Sequence, residues 1–235
     1  MRLTGIRGWL RAPSNDTYLN SVPVELSDVG SNNGYALLIN NGNSANSFSP
    51  LRCTAFVKIS GDGTLADNTS AYPVVKVFDF SQFAGSINLD RVSLLVCNAN
   101  TQYSSFYEMF GDGSEMASLI IESGKSAMIA EGKTWSVKNI RSHGPLTASA
   151  GTNLNSPRSA VFDGTLNFMT SETDFESLVL FKNVGRKPTA AFSKQTLDTL
   201  TINGESYNKT FYFTRLYGGN LIIKKRSSGF LYHVR

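Results

Sequence analysis

Apolar residues in this chain come in short runs separated by turn-forming clusters, and no long stretch repeats with the 3.6-residue period of a helix. Strand-like runs rich in β-branched and aromatic residues fall at 35–39, 53–59, 73–80, 92–97, 118–122, 127–130 and 134–140. They resume at 160–169, 178–181, 199–202, 210–216 and 221–225, with a last run at 230–234. Within 134–140, Trp135, Val137 and Ile140 interleave with Lys138 and Asn139, a half-buried pattern with one irregularity. One segment reads as a helix start: Ser171 as cap, with Glu172, Asp174 and Glu176 behind it.

The punctuation between runs is specific. Asn33-Gly34, Asn41-Gly42, Asp62-Gly63, Asp112-Gly113, Asp163-Gly164 and Asn203-Gly204 tolerate the positive φ that two-residue hairpin turns require. Asp163-Gly164 lies between Val161-Phe162 and Leu166-Asn167-Phe168, which predicts a tight hairpin there. Tyr217-Gly218-Gly219-Asn220 predicts another between the runs at 210–216 and 221–225.

More than a dozen short strands of this kind predict an all-β fold with minimal helix. The expected architecture is an antiparallel β-sandwich of jelly-roll or Greek-key type, with one or two β subdomains. Residues 1–34 read as an N-terminal arm or loosely tied first strands, 35–145 as the main sandwich, and 146–159 as a linker or loop. Residues 160–235 then supply hairpins that complete the sandwich or form a second small β domain. The boundary rests on His143-Gly144-Pro145, Ala150-Gly151 and Asn155-Ser156-Pro157 in a stretch poor in large apolar residues. No internal repeat is evident.

Composition narrows the function classes. Of 235 residues, 41% are hydrophobic, enough for a sizeable core, while 17% are charged, below the usual quarter. Ser, Thr and Asn fill the difference at roughly 28% of the chain. Polar surface without charge is cheaper to desolvate against another protein. A net charge of +4 with one dense basic cluster, Lys224-Lys225-Arg226, reads as a solvated or edge-strand group, so nucleic acid is not an expected partner. No apolar stretch is long enough for a membrane span, and the N-terminal residues lack a signal-peptide core, so use without Sec-type export is expected. Cys53 and Cys97, each in an apolar run, read as small buried hydrophobes, with one disulfide between them left open.

Motifs for chemistry are incomplete. Gly124-Lys125-Ser126 lacks the upstream glycine and following helix of a phosphate loop, and reads as a hairpin turn. Gly61-Asp62-Gly63-Thr64-Leu65-Ala66 follows a strand but precedes no helix, and reads as a turn. Asp62, Asp67 and Asn68 match no calcium-loop spacing, and His143 and His233 stand far apart, so no metal site, cofactor or catalytic residue is assigned. Glu108, Asp112 and Glu115 are neighbouring acids of the kind glycosidases use, without a spacing that singles them out.

The low charge, abundant Ser, Thr and Asn, short strands and polar loops together resemble bacteriophage virion structural proteins: capsid-decorating, head-fibre, or tail and baseplate proteins. That resemblance rests on overall character. It implies a non-enzymatic protein assembling through subunit contacts with copies of itself and other virion proteins, located in the virion after assembly in the host cytoplasm. The terminal apolar residues Ile6, Trp9, Leu10, Phe230, Leu231 and Tyr232 are the candidate interface. The alternative is a carbohydrate- or receptor-binding module of a viral fibre or adhesin, with Tyr103, Phe106, Tyr107 and Phe110 as ligand-facing aromatics.

Overall fold

A computed structural model describes residues 118–227 throughout, residues 74–81, 83–90 and 93–98, and the backbone of six earlier strands, with side chains from Val77 onward. The early strands are β1 (Arg2–Thr4), β2 (Arg7–Ala12), β3 (Val22–Ser27), β4 (Tyr35–Asn40), β5 (Asn46–Cys53) and β6 (Phe56–Gly61). Then come β7 (Val74–Val77), β8 (Ser86–Asp90), β9 (Ser93–Val96), β10 (Ser118–Ile121), β11 (Ala127–Ile129), β12 (Trp135–Ser136) and β13 (Asn139–Ser142). They are followed by β14 (Leu146–Ser149), β15 (Thr152–Asn153), β16 (Ser159–Phe162), β17 (Leu166–Met169), β18 (Ser177–Lys182) and β19 (Ala190–Phe192). A short helix α1 (Lys194–Asp198) precedes β20 (Thr201–Ile202), β21 (Glu205–Ser206), β22 (Tyr212–Tyr217) and β23 (Asn220–Lys225).

The protein is mostly strand, as the sequence predicts, but the strands pair differently from the expected antiparallel arrangement. Sheet I runs β1-β3-β5-β7-β9-β10-β13-β16-β19, and every pair in it is parallel. Sheet II, β12-β8-β6-β4-β2, is parallel as well. Sheet III, β11-β14-β17-β20-β21, and sheet IV, β15-β18-β23-β22, are parallel until their last strands. Antiparallel pairing among the described strands is confined to β20–β21, β18–β23 and β22–β23. The chain visits sheets I and II alternately through β9, then passes from sheet I to III to II or IV and back. Each return lays a strand beside its counterpart in the preceding coil. This is a parallel β-solenoid, in which neighbouring coils bury one another's apolar residues. Residues 146–159, read from sequence as a linker, hold β14 and β15, and Leu146, Ala148 and Leu154 there are buried in the core.

Stacked columns of side chains make that core. Leu94, Leu119, Ile140, Ala160 and Ala190 occupy equivalent positions of successive sheet I strands. Ala127, Leu146 and Leu166 do the same in sheet III. Polar residues stack too. The Ser118 backbone N–H donates to Ser93 Oγ (3.2 Å), and Asn139 Nδ2 donates to Ser118 Oγ (3.0 Å), all three residues being buried. At a corner, Asn183 Nδ2 donates to Asn153 Oδ1 (3.1 Å) while the Asn183 N–H donates to Asn220 Oδ1 (3.1 Å). Part of the Ser, Thr and Asn content therefore satisfies backbone groups between coils.

Turn chemistry explains where the hairpin reading holds and where it fails. Gly218 and Gly219 have φ of 57° and 82°, and Tyr217 pairs with Asn220, so this hairpin forms as predicted. Asn203 and Gly204, at 52° and 81°, likewise join β20 to β21. Asp163-Gly164 does not close a hairpin. β16 belongs to sheet I and β17 to sheet III, so the dipeptide turns a corner of the coil. Gly124-Lys125-Ser126 turns the corner from β10 to β11 in the same way. The run at 134–140 splits at its irregular position into β12 and β13, with the corner between sheets II and I at residues 137–138.

The helix also lies elsewhere. Residues 171–176 are irregular, and α1 follows Ser193, whose Oγ accepts from the Thr196 N–H (2.9 Å). The buried Thr196 hydroxyl reaches back to the Gly164 carbonyl (2.8 Å), fastening the helix to the preceding coil. Ser193→Ala should cost about 1 kcal/mol of stability through the lost cap, read as a lower urea midpoint with an unchanged slope.

Candidate interaction surface

Sheet IV carries the largest exposed aromatic group among the described residues. β22 alternates in the strand period: Tyr212 and Leu216 pack against the core, while Phe211, Phe213, Arg215 and Tyr217 share the opposite face. Phe211 is 57% and Tyr217 65% exposed. The Arg215 guanidinium lies 4.7 Å from the Tyr217 ring centroid and 5.8 Å from that of Phe213. Arg226 approaches the Phe213 ring at 5.9 Å, and its Nε donates to the Lys209 carbonyl (3.2 Å). A row of planar groups, aromatic and cationic by turns, is thereby held on a rigid strand.

β23 supports this row from inside the sheet. Leu221 and Ile223 face the core, while Ile222 stands opposite Arg215 and Lys224 opposite Phe213. Lys224 and Lys225 of the basic cluster are thus on an inner strand of sheet IV, between β18 and β22, and Arg226 directly follows it. Lys224 is exposed, and Lys225 Nζ pairs with Glu176 Oε1 at 3.0 Å. The hydrogen bond and charge of Glu176 raise the Lys225 pKa above its ordinary value. The pair's contribution is present at neutral pH and is lost as pH rises through that raised value. Both groups are in water, so the contribution is small.

A second feature adjoins the same sheet. A groove of about 600 Å³ lies over the β14–β15 turn, the end of β17 and the outer part of β18. Glu131, Glu172 and Lys182 are its charged residues, with Ser149, Thr170 and Ser177 among its hydroxyls. Lys182 passes over Gly151, whose φ is 80°. A wall of hydroxyls and carboxylates suits a neutral polar ligand such as an oligosaccharide.

A polar pair also bridges two coils. His143 Nδ1 lies 2.8 Å from Asp163 Oδ1, joining the corner that follows β13 to the corner that follows β16. Sequence placed His143 in a loop, and the structure adds its partner. Cys97 is buried, in keeping with its reading as a small hydrophobe.

The residues singled out from sequence fall mostly elsewhere. Trp9 and Leu10 lie on β2, paired in parallel with Leu37 and Leu38 of β4. Ile6, Phe230, Leu231, Tyr232, Tyr103, Phe106, Tyr107 and Phe110 are outside the described residues, as are Glu108, Asp112, Glu115, Asp62, Asp67 and Asn68. The face built by Phe211, Phe213, Arg215 and Tyr217 was not singled out. Its strand was legible, but each half of its alternation mixes aromatic or apolar residues with one polar residue, Arg215 in one and Thr214 in the other, so the pattern does not say which half faces water. Among the described residues no group of three or more His, Cys, Asp or Glu is arranged to hold a metal ion, and no helix is long and apolar enough to cross a membrane. No family model, no curated protein and no solved structure matches this chain.

Proposed function

We propose that this chain is a non-enzymatic structural protein of a bacteriophage particle, built into the capsid or tail through contacts with copies of itself and with other virion proteins. The observation that carries the reading is the outward face of β22, where Phe213 and the exposed Tyr217 stack against Arg215, and Phe213 also against Arg226, with the exposed Phe211 just before the strand. Aromatic residues and arginine are the types enriched at protein interfaces and at their energetic centres. A solenoid suits the role because each coil is bonded to the next, so a surface patch is held without induced ordering. The low charge of the chain favours burial of the remaining surface against protein.

The test is assembly of the purified chain, followed by light scattering over a concentration series, together with detection of the chain in purified particles. Growth in mass with concentration and presence in particles are expected. A chain that stays monomeric and is absent from particles would contradict the proposal.

The groove over β18 favours a second reading, a carbohydrate- or receptor-binding module. In that case oligosaccharides should perturb the groove residues, and Glu172→Ala or Lys182→Ala should weaken binding measured by calorimetry. Calorimetry without heat for any neutral or acidic oligosaccharide would remove this reading.

A further inference from the structure

We infer that β22 is the seam of a two-fold dimer, in which its open edge pairs antiparallel with the same strand of a second copy, centred on Thr214. This rests on the assembly reading and names its partner and geometry.

The backbone supplies the first argument. β22 is the terminal strand of sheet IV among the described residues. Arg226 N–H donates to the Phe211 carbonyl, and Tyr217 pairs with Asn220 across the turn. In an antiparallel ladder the bonded positions alternate, so Phe211, Phe213, Arg215 and Tyr217 bond toward β23. The N–H and C=O groups of Tyr212, Thr214 and Leu216 then point to the open edge. The Tyr212 N–H is already given to the Asn208 carbonyl. That leaves the Tyr212 carbonyl and both groups of Thr214 and Leu216 along the edge. A two-fold pair centred on Thr214 uses all of them except the Leu216 carbonyl: Thr214 bonds reciprocally with the partner's Thr214, and each Leu216 N–H meets the partner's Tyr212 carbonyl.

The side chains supply the second. Around Thr214 the segment Phe211-Tyr212-Phe213-Thr214-Arg215-Leu216-Tyr217 is self-complementary. The same register sets Phe213 opposite the partner's Arg215, Phe211 opposite the partner's Tyr217, and Tyr212 opposite the partner's Leu216. Each guanidinium, already against its own Phe213 and Tyr217 rings, gains a third ring, and the aromatic ends pair with one another. Shifting the register by two residues sets Phe213 against Phe213 or Arg215 against Arg215 and loses this match.

The third argument is contrast with the other strand edges at this end of the coil. Sheet III ends in β21, two exposed residues that include Glu205, and sheet I ends in β19, three residues followed at once by α1. Short or charged edges are how sheets avoid stray pairing. β22 has six residues, no proline and a face of aromatics.

Thr214→Pro tests the seam directly. Proline removes the Thr214 N–H and sets its ring on the open edge, and because that N–H points away from β23 the coil itself loses no ladder bond. Sedimentation equilibrium should show dimers for the natural chain and monomers for Thr214→Pro, with the two melting within a few degrees of each other. Arg215→Glu, which sets carboxylates against the partner's ring, should weaken dimerisation at least tenfold, and it decides the matter if the proline variant fails to fold. A natural chain that is monomeric up to its solubility limit would overturn the seam. So would dimers that persist in the folded variants, which would refute pairing through β22 and leave assembly through another surface standing.

Discussion

Gly144→Ala should be among the most damaging single substitutions in this protein, costing about 3 kcal/mol, although no unusual backbone angle at Gly144 requires glycine. A Cβ built there would lie 1.9 Å from the Lys125 carbonyl oxygen and 2.5 Å from that of Glu122, both backbone atoms of the preceding coil. Gly164 repeats the arrangement one coil later, its Cβ falling 2.2 Å from the Gly144 carbonyl oxygen. The corners at 124–126, 143–145 and 163–165 stack so closely that a side chain must push whole turns apart. Gly204 is the useful control: its φ is 81°, yet nothing lies within 4 Å of a Cβ placed on it. Gly204→Ala should cost only about 1 kcal/mol, the strain of a left-handed residue. Urea midpoints should therefore rank Gly144→Ala well below Gly204→Ala. The reverse order would mean that these corners do not stack.

Phe162→Ala should cost about 3–5 kcal/mol, the usual penalty for emptying a buried aromatic site. Phe162 is 1% exposed. Its ring lies 5.0 Å from Phe192, the next residue in its column, and 5.5 Å from Phe181 on sheet IV, which in turn meets Phe168 of sheet III edge-on at 4.7 Å. The rings of Phe162, Phe181 and Phe168 thus run in sequence across three faces of the coil, and the neighbours are fixed by strand ladders that cannot collapse into the gap. Phe162→Leu should retain most of the stability, since it keeps the site filled. Equal losses for the two variants, measured by chemical denaturation, would contradict a close-packed centre at this point.

The strand content was legible from the sequence because alternation and β-branched residues report the local backbone whatever the partner strand. Pairing direction was not. An Asp-Gly pair can close a hairpin or turn a coil corner: Asn203-Gly204 does the first with positive φ at both residues, and Asp163-Gly164 does the second by close approach. Residues that stack are also unevenly spaced. Ser93 and Ser118 are 25 residues apart, Ser118 and Asn139 are 21, and Thr170 and Asn203 are 33, so no fixed period marks the coils. The helix was missed because α1 has no acidic residue in its first turn, whereas 171–176 has three acids but stays irregular, the Glu172 N–H donating to Thr170 Oγ1 (3.1 Å). Of the interaction surface, the strand at 210–216 was readable. Its exposed face was not, because exposure depends on which side of β22 the solenoid core occupies.

The most direct test of the whole account is a cryo-EM map of the assembly that the purified chain forms. The account predicts parallel coils within each copy and two copies meeting at β22, with Phe213 of one against the partner's Arg215. A map with antiparallel sheets inside each copy, or with β22 open to solvent while copies meet elsewhere or not at all, would contradict it.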